Sequence, residues 1–149
     1  FVDSLGLKVD LASMVMDSRT TVFSNYIVAK PRFWRAWLAI NERLFALCES
    51  EQDSPLRSQL LHATNYRSLQ RKVFLSERIA SLILSIDPSY RIKPYNTFQC
   101  AWSATNLSNY KREAVLSDAL KTALLVTGHD SYLAEFANIR ASIRANSSS

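Results

Sequence analysis

Glycine is almost missing from this chain. Gly6 and Gly128 are the only two in 149 residues, so neither GxGxxG nor GxxxxGK occurs and a phosphate-cradling loop is excluded. Cysteine is equally sparse. Cys48 and Cys100 are too few for a disulfide scaffold, and neither has a CxxC partner or a histidine at ligand spacing, which argues against zinc. No apolar run approaches the ~20 residues needed to cross a bilayer as a helix. The two histidines, His62 and His129, stand in no recognisable catalytic motif.

What remains is ordinary globular composition: 48% apolar, 21% charged, net charge +5. One chain of this length suggests a single domain over residues 1–149 with a sizeable core. The positive charge is compatible with nucleic acid, phosphorylated ligands or peripheral contact with an anionic membrane, and selects none of them. Basic clusters at Arg67/Arg71/Lys72 and Lys111-Arg112 match no nucleic-acid motif, so no specific nucleic-acid partner is expected. Phe1 in place of methionine gives the expectation that the visible start is not the start of translation.

The organising stretch is Tyr66 to Ile86. From about Gln70 it reads as a helix with two apolar rows: Leu75, Ile79, Leu82, Ile86 and Ile83 in one, Val73, Ala80 and Leu84 in the other. A helix apolar on two sides is an interior helix. Glu77 falls between Val73 and Ala80, where a carboxylate is unexpected. It is either exposed or paired with an arginine, or it is functional.

Upstream, the alternation of Leu5, Leu7, Val9 and Leu11 favours a short strand, and Thr20–Ala29 is the clearest strand. Ser24-Asn25 interrupt it, as a bulge or as side chains facing a cavity. Lys30-Pro31 opens a helix to Glu49 whose rows (Phe33, Trp37, Ile40, Leu44, Leu47; Trp34, Leu38, Phe45, Cys48) cover about half its circumference, with the tryptophan pair expected in the core. Asn41 lies inside the second row and needs a buried partner. Pro55 starts a short helix through Leu60-Leu61, with His62 a surface or capping residue.

Beyond the organising stretch, Asp87-Pro88-Ser89 is a turn, Tyr90–Tyr95 a short strand, and Asn96–Asn106 a loop. A helix runs from Ser108 or Asn109 to Thr127, with Leu116, Ala119, Leu120, Ala123 and Leu124 inward and Gly128 as its stop. Asp130 suits an N-cap for a last helix with Tyr132, Phe136, Ile139 and Ile143 in one row.

The segments SNYIVAKPRFWRAWLAINERLFALCE (Ser24–Glu49) and YRSLQRKVFLSERIASLIL (Tyr66–Leu84) resemble a bacterial group of glycosyltransferase-like proteins of polysaccharide biosynthesis. The matching residues are Ser24, Asn25, Tyr26, Phe33, Glu49 and Phe74-Leu75-Ser76-Glu77-Arg78, over the middle ~60 residues. The resemblance implies an α/β fold of the GT-A type, in which this helix-dominated chain is the acceptor-side C-terminal part of a larger catalytic domain. It implies Glu77 as general base, and Ser24, Asn25 and Arg78 as substrate-binding residues. It implies a nucleotide-sugar donor, a saccharide acceptor, a cytoplasmic location, and a divalent metal in the complete enzyme. The chain departs from that pattern in having no Asp-x-Asp, the usual holder of metal and sugar diphosphate. No cofactor is therefore expected on this chain, which should not catalyse transfer by itself. The competing expectation is a mainly α bundle acting as a non-catalytic binding or scaffold module.

Overall fold

A computed structural model describes residues 1–22, 26–100 and 108–147. Six α-helices are found among them: α1 (Pro31–Glu49), α2 (Pro55–Leu61), α3 (Arg71–Ile86), α4 (Thr97–Cys100), α5 (Lys111–Thr127) and α6 (Asp130–Ser147). The four long ones lie where apolar periodicity puts them. None is long and apolar enough to cross a membrane. The chain divides into two compact units, the first built from Phe1–Met14 and Thr20–Arg91, the second from Val15–Arg19 and the residues from Ile92 onward.

In the first unit α1 packs on α3, and α2 touches both. The core is Phe33, Leu44 and Cys48 of α1, Leu60 of α2, and Ile79, Ala80 and Ile83 of α3. Ile79, Ala80, Ser81, Leu82 and Ile83 are all buried, so the middle of α3 is enclosed all round, as its doubled apolar row requires. The outer row of α1 is different. Trp34, Leu38 and Phe45 are exposed, and only Cys48 at its end reaches the core. Of the tryptophan pair, Trp37 packs against the core and Trp34 sits outside it, edge-on to Trp37 and to Phe33. A ring sequence Trp37–Trp34–Phe33–Tyr90 continues along this end, closed by Arg32 over Tyr90 at 4.8 Å.

Local signals set the helix ends. Pro31 and Pro55 each open a helix, and the Ser54 side chain caps α2 by accepting from Arg57 N at 3.1 Å. His62 is the C-cap of α2, its N–H donating to Ser58 O. The link to α3 is a tight turn in which Leu69 N donates to Tyr66 O, with Arg67 and Ser68 at positive φ. It closes one antiparallel bridge, Ala63–Gln70. Asp87-Pro88-Ser89 turns as expected, Asp87 accepting from Ser89 N at 2.9 Å.

Among the described residues the expected strands do not form. That isolated bridge is the only β pairing among the described residues, and the α/β expectation gives way there to a mainly α architecture. Leu5–Leu11 begins instead as a 3-10 turn, Asp3–Leu5, stopped by Gly6 at φ 72° and held to α1 by Arg43, which donates to Ser4 O and Leu5 O. Tyr90–Tyr95 is irregular chain, and Thr97–Cys100 is helical where a loop was expected. Within Thr20–Ala29, residues 20–22 and 26–29 carry no ladder, while Phe23, Ser24 and Asn25 lie outside the described residues. β-branched composition favours an extended course, but a strand exists only beside another strand. Here Val22 N is satisfied by a side chain, donating to the buried Ser81 Oγ at 2.8 Å.

The second unit is a helical hairpin, α5 on α6, turned at Gly128 (φ 71°), whose N–H donates to Leu124 O at 2.8 Å. Asp130 opens α6 as its first residue, not as a cap before it. Tyr132, Phe136, Ile139 and Ile143 are its half-buried positions, the row read from the sequence. On α5 the inward set is thinner than expected. Leu120, Ala123 and Leu124 are half-buried, Leu116 and Ala119 are exposed, and no residue of α5 is fully buried.

Polar contacts supply part of what the thin core lacks. Asp17 is buried, accepting from Arg19 N, Arg19 Nε and Thr122 Oγ1 at 3.0, 2.7 and 2.9 Å. Ser18 donates through both N–H and hydroxyl to Asp118, one turn before Thr122, at 2.6 and 2.7 Å. Asp17 and Ser18 thus form a clasp on α5.

Burial disfavours the charge of Asp17. The hydrogen bonds from Thr122 and Arg19, with the Arg19 charge, outweigh it and hold the carboxyl below its ordinary 3.8. A depressed folded pKa contributes stability that is present above the ordinary value and lost as pH falls through the folded one. Acidification from pH ~5 to ~2 should loosen the second unit, and Asp17→Asn should flatten that pH dependence. At neutral pH the same substitution should cost about 1–3 kcal/mol, read by urea unfolding at each pH. In the first unit, Ser81→Ala strands a backbone N–H and should cost a similar ~1–3 kcal/mol.

Candidate functional site

The α1–α3 contact leaves an open groove of about 430 Å³ on one side of the first unit. Asn41, Leu44, Phe45 and Cys48 face it from α1, and Lys72, Val73, Ser76 and Glu77 from α3. Helical geometry explains the set. Positions 41, 44, 45 and 48 follow one face of α1, and 72, 73, 76 and 77 one face of α3. Leu44, Phe45, Cys48 and Val73 make its apolar part. Asn41, Lys72, Ser76 and Glu77 supply polar groups.

The polar groups are not equivalent. Asn41 finds the partner its position demanded: it accepts from Ser76 Oγ at 2.7 Å and donates through Nδ2 to Trp37 O at 2.9 Å. Lys72 approaches Glu49 at 3.8 Å. Glu77 is half-buried and makes no hydrogen bond or ion pair among the described residues, so no arginine neutralises it there. Cys48 lies buried at the groove. Burial pushes its thiol up, and the opposing positive charges of Lys72 and Arg57 do not reverse this. It is a protonated packing group rather than a nucleophile.

Of the residues expected at a site, Glu77 lies in the groove. Arg78 is exposed and outside its lining, and Ser24 and Asn25 lie outside the described residues. Asn41 was legible only as a polar residue on an apolar row. Phe45, Ser76 and Lys72 were not legible as site residues; Phe45 looked like core, yet it is 65% exposed. The arrangement offers an aromatic face beside a free carboxylate, an amide and a hydroxyl. That combination suits an amphipathic ligand such as a sugar ring, apolar on one face and hydroxylated at its edge.

A smaller pocket of about 280 Å³ lies in the second unit among Ser18, Tyr95, Asn96, Thr97, Phe98 and Asp118. Both oxygens of its carboxylate already hold Ser18. Among the described residues no three His, Cys, Asp or Glu side chains come together as a metal site. The chain has no Asp-x-Asp. Comparison with protein-family models, with curated proteins and with solved structures finds no match.

The buried position of Cys48 sets an expected reactivity. In the native protein the Cys48 peptide should stay unmodified by iodoacetamide at pH ~8, near the ordinary thiol pKa, and react fully in denaturant, as read by peptide mass spectrometry. Rapid native labelling would show that the groove opens to its base.

Proposed function

We propose that this chain is the acceptor-side part of a glycosyltransferase of bacterial surface-polysaccharide synthesis. In this reading the α1–α3 groove holds a saccharide acceptor and Glu77 is the general base. The observation that carries it is the Glu77 carboxylate, half-buried in a groove, beside an exposed aromatic ring and without a neutralising partner among the described residues. A carboxylate committed to stability is normally paired or hydrogen-bonded; a base must be free to accept a proton. The FLSER resemblance supports the same assignment.

The chemistry follows ordinary general-base lines. The acceptor hydroxyl oxygen forms a bond to the anomeric carbon of the donor sugar as the bond to the nucleoside diphosphate breaks. The hydroxyl proton passes to the Glu77 carboxylate. Phe45 and Val73 offer an apolar surface to the acceptor ring, while Asn41 and Ser76, locked to each other, keep α1 and α3 in register at the groove. The donor nucleotide sugar, its metal and the GT-A sheet belong to parts of the enzyme that this reading places outside the described helices.

A second reading has its own support. The mainly α architecture and the missing Asp-x-Asp favour a helix-rich binding module that holds a ligand in the same groove without transforming it.

Glu77→Gln separates the readings. In the complete enzyme it should lower kcat by about 10²–10⁴-fold with the melting temperature unchanged, because glutamine keeps the shape and cannot take the proton. Normal turnover in the folded variant would remove Glu77 from the chemistry. By calorimetry, the 149-residue chain should show no manganese-dependent binding of uridine, guanosine or cytidine diphosphate sugars. Clear binding would mean that a donor site is built from other residues.

A further inference from the structure

The groove between α1 and α3 is ordered along its length. Asn41 of α1 meets Ser76 of α3, and Glu49 of α1 approaches Lys72 of α3, so the two helices run antiparallel beside it. Lys72 therefore stands at one end, and Glu77 stands beside the Asn41–Ser76 pair at the other, with Leu44 and Phe45 between. Helix geometry sets Lys72 and Glu77 roughly 7–8 Å apart along the axis of α3. Neither charged end is satisfied. Glu77 has no partner among the described residues. The Lys72 side chain is only 30% exposed, yet its ammonium makes no hydrogen bond among the described residues. Its ion-pair partner is Glu49 at 3.8 Å, beyond hydrogen-bond distance, and Glu49 is itself 56% exposed and outside the groove lining. So open a pair holds its members weakly. A half-buried ammonium without an acceptor is costly, and an anion brought by a ligand would supply one.

We propose that the groove takes an acidic sugar, a saccharide carrying a carboxylate, and that Lys72 is the residue that selects it. This rests on the reading of the groove as an acceptor site and adds the class of acceptor. The Lys72 ammonium donates to the ligand carboxylate, the apolar face of the ring lies on Phe45, and a hydroxyl on the far side of the ring reaches Glu77. The apolar middle of the groove then separates the ligand's charge from the Glu77 carboxylate, so like charges do not meet. Lys72 is the one cation of the lining. A monoanion matches it. A phosphate monoester, with a charge of about −1.5 to −2, would leave charge uncompensated between Glu49 and Glu77. Glu49 competes with the ligand for the same ammonium.

Backbone amide shifts of the 149-residue chain are followed by NMR during titration with the methyl glycosides of glucuronic, galacturonic and mannuronic acid. Each is set beside its methyl ester, which keeps the ring and removes the charge. At least one uronate should move the groove amides of α1 and α3 and bind about three- to tenfold tighter than its ester. That preference should shrink as salt rises. Lys72→Met should bring acid and ester to the same affinity, and Lys72→Arg should keep them apart. Glu49→Gln frees the ammonium and should tighten uronate binding by about two- to fivefold, a gain that a merely structural ion pair would not give. Equal binding of acid and ester, or a preference that survives Lys72→Met, overturns the assignment of Lys72 and leaves the groove a saccharide site. Tighter binding of the corresponding sugar phosphates overturns the choice of carboxylate. If neither acids nor esters move the groove amides, the acceptor-site reading falls and this inference falls with it.

Discussion

The first unit depends on the complete burial of the middle of α3. Five consecutive residues, Ile79 to Ile83, are removed from solvent, which requires neighbours on every side of the helix. Ile79 is the largest fully enclosed side chain of this helix, and its burial contributes about 1.5–3 kcal/mol. α1 and α2 supply two of the neighbours through Phe33, Leu44, Cys48 and Leu60. Ser81 supplies a third contact of another kind, because its hydroxyl draws in the chain at Val22. An interior helix thereby sets the path of a non-helical segment.

The groove is a by-product of the same packing. α1 carries more apolar surface than α3 can cover, since its two rows span about half the circumference. Phe33 and Leu44 go inward, and Phe45 is left facing the gap beside α3. At that gap the contact turns polar. Asn41 and Ser76 satisfy each other across the two helices, so their polar groups do not weaken the junction. Glu77, one position further along α3, has no such partner among the described residues. Packing energy is supplied below the groove, and the free carboxylate at its edge is tolerated there because water reaches it.

The second unit works by other means. With no residue of α5 fully buried, hydrophobic burial alone is a modest source of stability. Asp17 and Ser18 hold α5 at two positions one helical turn apart: Thr122 donates one hydrogen bond to Asp17, and Asp118 accepts two from Ser18. A buried carboxylate is acceptable because each of its oxygens is used. Hydroxyl and carboxylate contacts thus pin irregular chain to helix in both units, through Ser81 in one and Asp17 in the other.

Periodicity in the sequence was enough to locate the four long helices, since a helix's hydrogen bonds lie within its own segment and its buried face repeats every few residues. It was also enough to single out Asn41 and Glu77 as polar groups on apolar rows. Sheet formation was not decided locally. Tyr26–Ala29 shows the alternation and composition of a strand, but a ladder needs a second backbone, and none is bonded to it among the described residues. Nor could the sequence reveal that Asp17 is buried, because that rests on Thr122, 105 positions away. The same holds for Phe45 and Ser76. Whether an apolar or polar side chain on a given face meets core, groove or solvent depends on where a second helix crosses the first, and tertiary packing alone decides that.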